Sequence, residues 1–166
     1  GGIEEEYYLK VLNRKARLLD FLGWLPEAIE IDRRQAEAQP TRANTVAVQG
    51  ARMNLNRNLS QYYGPSETYL KEALDAYQIF KQSAGGQGDL DALRLVNKMV
   101  FDLTHDDSSK TNLVAIQNLL NTMGLQRDAD YAERDLLEIQ IRTGETKDTE
   151  KRLLALIESF RNNGNR

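Results

Sequence analysis

His105, followed by Asp106 and Asp107, is where the chain sets an imidazole beside two carboxylates. Those residue types suit a metal site or an acid–base pair. The run THDDSS, Thr104 to Ser109, is also what the start of a helix asks for. Short oxygen-bearing side chains accept from free backbone N–H groups, and carboxylates suit the positive end of the helix dipole. With one histidine and no cysteine in the chain, a zinc site would rest on carboxylates and water, so the run is read as a capping turn. The glycine-rich Gly85 to Gly88 lacks the Lys-Ser/Thr of a phosphate loop and follows a helix rather than a strand, so it is read as a connector.

Glu4, Glu5 and Glu6 offer an acidic patch, or simply a favourable helix start. Tyr7, Tyr8, Tyr62 and Tyr63 have rings that could stack on a ligand or a base, and are read instead as packing at the ends of a helical stack. Trp24 lies in a turn beside Leu25 and Pro26. Packing over the first helix or against a neighbouring part of a larger protein is its ordinary role, and a binding anchor is its alternative. No nucleophile–base–acid order, histidine pair or framed carboxylate pair appears. The expectation is therefore a protein that is not an enzyme, with no catalytic, cofactor-binding or metal-ligating residue.

The elements that carry these residues follow from bulk properties. A chain of 166 residues is one domain by length and can bury roughly 70% of its unfolded surface without disulfides or metals. The formal charge is −3, with both signs interleaved, which speaks against direct nucleic-acid binding. No apolar run is long enough for a membrane span. Without cysteine the redox compartment is not fixed: a cytoplasmic location is the expectation, with a periplasmic one as the alternative. The Gly-Gly start and RNNGNR end suggest a segment of a larger protein.

Leucine, alanine, glutamate, glutamine, lysine and arginine dominate, and apolar residues recur at helical spacing. Eight helices are expected. The first runs over about 3–22 and ends at Gly23; the second starts with Pro26 in its first turn and stops before Pro40. The third covers about 41–56, and NRNLSQYYGP is read as a loop. The fourth is capped by Ser66 and the fifth by Asp89. The sixth ends at Gly124. The seventh (about 128–143) ends at Gly144, and the eighth covers about 147–163.

Leu12, Ala16 and Leu19 give a large-small-large pattern, followed by Gly23 at a turn, Ala28 in the next helix and Pro40 at its end. Small residues on both helices let them approach closely while leucines fill the flanking grooves. On these residues the stretch 9–42 resembles the tetratricopeptide repeat family. Asp32 stands where that family prefers an aromatic residue, and Gln35 where it prefers alanine. Val46, Gly50 and Met53 repeat the pattern, with Ala73 and Tyr77 in the partner helix. Ala115 is the small residue expected of the third pair, and Gly144 the turn of the fourth.

The resemblance implies an all-α, right-handed solenoid of about four antiparallel helix pairs, a single domain over 1–166. It also implies a concave face lined by the first helix of each pair. Carried over, that face comprises Asn13, Arg17 and Asp20, then Asn44, Ala47, Ala51 and Asn54, then Asp91, Arg94 and Lys98. Side-chain amides there would bond a peptide backbone, and guanidinium a carboxylate. The carboxylate clamp of chaperone-binding members is absent, since Val48 stands in an asparagine slot. The expected function is a non-catalytic scaffold that binds a peptide or helix of a partner protein, without cofactor, nucleic acid or membrane span. Alternatives are a regulatory or sensor domain of a transcription regulator or signalling ATPase, a helical-bundle enzyme, and a self-associating assembly subunit.

Overall fold

The computed structural model describes residues 2–84, 88–145 and 147–164, without the side chains of Gly2, Ile3, Glu6, Phe21 and Gly164. Among the described residues there are eight helices and no strand: α1 Gly2–Phe21, α2 Leu25–Ala36, α3 Thr45–Tyr63, α4 Glu67–Ser83, α5 Asp89–Thr104, α6 Asp107–Thr122, α7 Gln126–Thr143 and α8 Thr149–Gly164. They form two compact units, 1–104 and 105–166. The connector read at Gly85 to Gln87 and the chain end at Asn165 and Arg166 lie outside the described residues.

In the first unit each helix packs on the next, and the alternate helices α1 and α3, and α3 and α5, also touch. Among the described residues α2 and α4 do not. One core joins α3, α4 and α5 through Met53, Ala73, Tyr77, Phe80, Leu95, Val96 and Met99. A smaller one seats α1 on α2 through Ala16, Leu19, Ala28 and Ile31, with Leu12 against it. Gly50 faces Phe80, whose Cε2 lies 4.0 Å from where a Cβ would stand, so the small slot expected in α3 is filled from α4.

The α1–α2 turn follows from its sequence. Gly23 adopts φ +78°, Trp24 N donates to Leu19 O at 2.9 Å and Gly23 N to Asp20 O at 3.0 Å. These paired bonds satisfy the last carbonyls of α1 and need a residue comfortable at positive φ. Pro26 sits in the first turn of α2, where its missing N–H costs nothing. The same turn recurs between α6 and α7: Leu125 N donates to Leu120 O at 2.9 Å and Gly124 N to Asn121 O at 3.0 Å. Trp24 and Leu125 have nearly identical backbone angles, φ −86°, ψ 65° and φ −86°, ψ 63°. Ala28 and Ala129 occupy the same step after the turn, and both are buried.

Several boundaries differ from those read along the chain. The helix expected to stop near Asn56 continues to Tyr63, so NRNLSQYY is helical. Its polar side chains find partners on α1 and α2, and no breaker occurs before Gly64, at φ +102°, and Pro65. α2 ends at Ala36 rather than Gln39, its C-terminal carbonyl taking an N–H from Arg52 Nε at 3.1 Å. The residue preceding Pro40 is biased away from helix. Ala115, expected at a close helix contact, is exposed; Leu113, Ile116 and Leu120 are the buried apolar residues of α6. In the second unit α7 packs against both α6 and α8.

Candidate functional site

The residues carried over from the repeat pattern have diverse surroundings. Asn13, Ala47 and Asn54 are half-buried, on α1 and α3. Arg17 keeps 42% of its side chain exposed, with Nη2 4.0 Å from Asp91 Oδ2. Ala51 is fully enclosed. Asn44 is buried at the turn before α3, where its Oδ1 accepts from Thr41 N at 2.6 Å and its Nδ2 donates to Gln39 O at 3.1 Å. Arg94 and Lys98 are buried in ion pairs within α5: Arg94 Nε donates to Asp91 Oδ1 at 2.8 Å, and Lys98 Nζ to Asp102 Oδ2 at 2.8 Å. Val48, in the asparagine slot of the clamp, is buried.

Asp20 leads to a polar cluster that spans three helices of the first unit. Arg57 on α3 donates through Nη2 to Asp20 of α1 and, at 3.2 Å, to the neighbouring Asn58 Oδ1. Asn58 Nδ2 donates in turn to Asp32 Oδ2 of α2 at 2.8 Å. A continuous chain of hydrogen bonds, Asp20–Arg57–Asn58–Asp32, therefore ties α1, α3 and α2 together. Beside it, Gln35 Nε2 donates to Leu9 O at 2.7 Å, joining α2 to α1. Asp32 and Gln35, the two departures from the repeat pattern, are 2% and 3% exposed. Each fills its slot with a helix-to-helix hydrogen bond in place of apolar packing.

The electrostatics split two aspartates apart. Burial drives the Asp32 carboxyl up to about 7; the Arg57 charge and the Asn58 hydrogen bond oppose this, Asp20 adds to it, and Arg17 lowers it slightly. Asp91 goes the other way. Burial would raise it, but the charge and hydrogen bond of Arg94, then Arg17 and Arg57, hold it below the usual carboxylate range. Three arginines from α1, α3 and α5 thus act on one aspartate, which makes Arg17, Arg57, Asp91 and Arg94 one electrostatic group. Arg57 Nε and Gln35 Oε1 are buried and without hydrogen-bond partners among the described residues.

Reading the sequence missed Arg57 and Asn58, because Asn-Arg-Asn looks like loop composition. The absence of any glycine or proline from 51 to 63 was the signal that the helix continues. Trp24 is 57% exposed at the position preceding α2. Tyr7 and Tyr8 are exposed, as are Tyr62 and Tyr63, which meet edge-to-face with centroids 4.8 Å apart at the end of α3.

The capping role of the His105 run is realised. Asp106 precedes α6 and its side chain accepts from Ser108 N at 2.9 Å and from Ser108 Oγ at 2.7 Å, which lowers its carboxyl below the ordinary value. His105 is exposed at φ 55°. Glu4 and Glu5 lie in the first turn of α1, while the Glu6 side chain is outside the described residues.

The second unit has its own polar centre. Glu133 of α7 accepts from Arg152 of α8 through both oxygens, at 2.7 and 2.8 Å, and from Gln117 of α6 at 2.6 Å. Partial burial raises the Glu133 carboxyl, but these hydrogen bonds outweigh it and hold it below its ordinary value. No helix among the described residues is long and apolar enough to cross a membrane. Comparison of the chain with protein-family models, with curated proteins and with solved structures gives no match.

Proposed function

We propose that this chain is a non-catalytic protein-interaction module: a tetratricopeptide-like, right-handed solenoid whose inner face, formed by α1, α3 and α5, holds a peptide or helix of a partner protein. The observation that supports this best is the contact between α1 and α3 and between α3 and α5, with no such contact between α2 and α4 among the described residues. Helices that alternate in sequence and still touch build a continuous surface, as stacked helix pairs require. On it, Arg17 is half-exposed, and the amides of Asn13 and Asn54 remain partly accessible. Beneath that surface Arg57 of α3 pairs with Asp20 of α1, and Asp91 pairs with Arg94 within α5.

The test is selection from a random peptide library followed by titration. The expected result is that changing Asn13, Arg17 and Asn54 together to alanine weakens the selected peptides at least ~10-fold, about 1.4 kcal/mol, while the helical circular dichroism stays unchanged. Peptides that bind the triple variant as tightly as the parent would place the binding surface elsewhere.

A further inference from the structure

The Asp20–Arg57–Asn58–Asp32 chain contains an imbalance. Two carboxyl groups, one on α1 and one on α2, flank a single buried guanidinium on α3. That guanidinium has spent Nη2 on Asp20 and Asn58, and its Nε–H has no acceptor among the described residues. The groups facing Asp32 are Arg17 and Asp20 from α1 and Arg57 and Asn58 from α3. Of the cations, Arg17 is half-exposed and leans toward Asp91. Asp32, once ionised, therefore has Arg57 alone as a buried counter-charge.

We propose that Arg57 is the moving part of a proton-governed latch on α1: with Asp32 protonated its guanidinium holds Asp20, and with Asp32 ionised it turns to α2 and releases α1. The unused Nε–H supplies the donor for the second arrangement. The neutral carboxyl needs only the amide of Asn58, which leaves Arg57 free for Asp20. Ionised, it repels Asp20 and competes for the same cation. The described apolar seat of α1 is Ala16, Leu19 and Leu12 on Ala28 and Ile31, and Arg57 ties the same helix to α3 through Asp20. This inference concerns the unit itself and stands whether or not its inner face binds a partner.

The linkage has a defined sign. The Asp32 carboxyl lies at about 7 when buried, against 3.8 when free. The buried state thus binds a proton that the open state releases, and its advantage, complete below about pH 4, is lost as the pH rises toward 7. The open fraction of α1 rises by up to ~10-fold per pH unit across that window.

Hydrogen exchange of the α1 amides, corrected for intrinsic rates, reads this directly. Protection from Leu9 to Leu19 is expected to fall at least ~10-fold between pH 5.5 and 7.5, while α4 holds. Asp32→Asn is expected to flatten that dependence. Asp20→Asn is expected to move the midpoint to lower pH, because the neighbouring charge that raises the Asp32 carboxyl is gone and Arg57 is then free to pair with Asp32. An equal fall in Asp32→Asn, or a flat profile in the parent protein, overturns the latch. If Asp32→Asn does not fold, an unmoved midpoint in Asp20→Asn overturns it equally.

Discussion

Ala16 and Ala28 meet between α1 and α2, neither more than 2% exposed. A larger side chain on either helix has no space to enter, so Ala28→Leu is expected to destabilise the first unit by about 1–3 kcal/mol in urea unfolding. Gln35 works at the same interface by different means. Its Nε2 is a second donor to the Leu9 carbonyl, which lies within α1, and Gln35→Ala removes that tie between the helices and leaves a small cavity. The expected loss is about 1–3 kcal/mol by the same measurement. Its other polar atom, Oε1, is already unpartnered, so Gln35→Leu costs less than Gln35→Ala: the volume is kept and one orphaned acceptor disappears.

Helix ends and helix-to-helix ties respond to different perturbations. α4 is capped by Ser66, whose side chain accepts from Tyr69 N at 3.2 Å. Ser66→Ala is expected to cost about 1 kcal/mol, with no change in helix content at low temperature. α6, α7 and α8 depend instead on Glu133, which gathers Gln117 and Arg152. Its carboxyl is held below its ordinary value of 4.5. The stability this supplies is present above that value and lost as the pH falls through the folded-state value. Acid titration of the isolated stretch 105–166 is expected to show a loss below pH 4.5 that Glu133→Gln lacks. The pair is partly exposed, with side-chain exposures of 17% for Glu133 and 32% for Arg152. Solvent screening keeps the cost of Glu133→Gln at neutral pH near about 1 kcal/mol.

At the scale of the whole chain, the division is into two compact units, 1–104 and 105–166. The longer unit has both a large core and a polar cluster, so 1–104 expressed alone is expected to unfold in one cooperative step by circular dichroism. The shorter one falls in the size range where a single core supplies only a few kcal/mol, so it melts lower. Coincident melting of the two fragments would contradict this ranking.

The number of helices, their turns at Gly23, Gly124 and Gly144, and the close approach of Ala16 to Ala28 were all legible in the sequence. Each depends on residues within one turn or one helical hairpin: a periodic apolar face, a residue at ease with positive φ, or a proline lacking an N–H. The length of α3, the enclosure of Arg94 and Lys98, and the roles of Asp32, Gln35, Arg57 and Asn58 were decided by tertiary structure alone. A polar side chain reads as exposed until its partner is known, and Asp32 finds Asn58 on another helix. Arg94 and Lys98 pair within α5, so spacing shows those partners but not their burial; Asp32 and Arg57 find theirs on other helices, and spacing along one helix carries no record of that convergence.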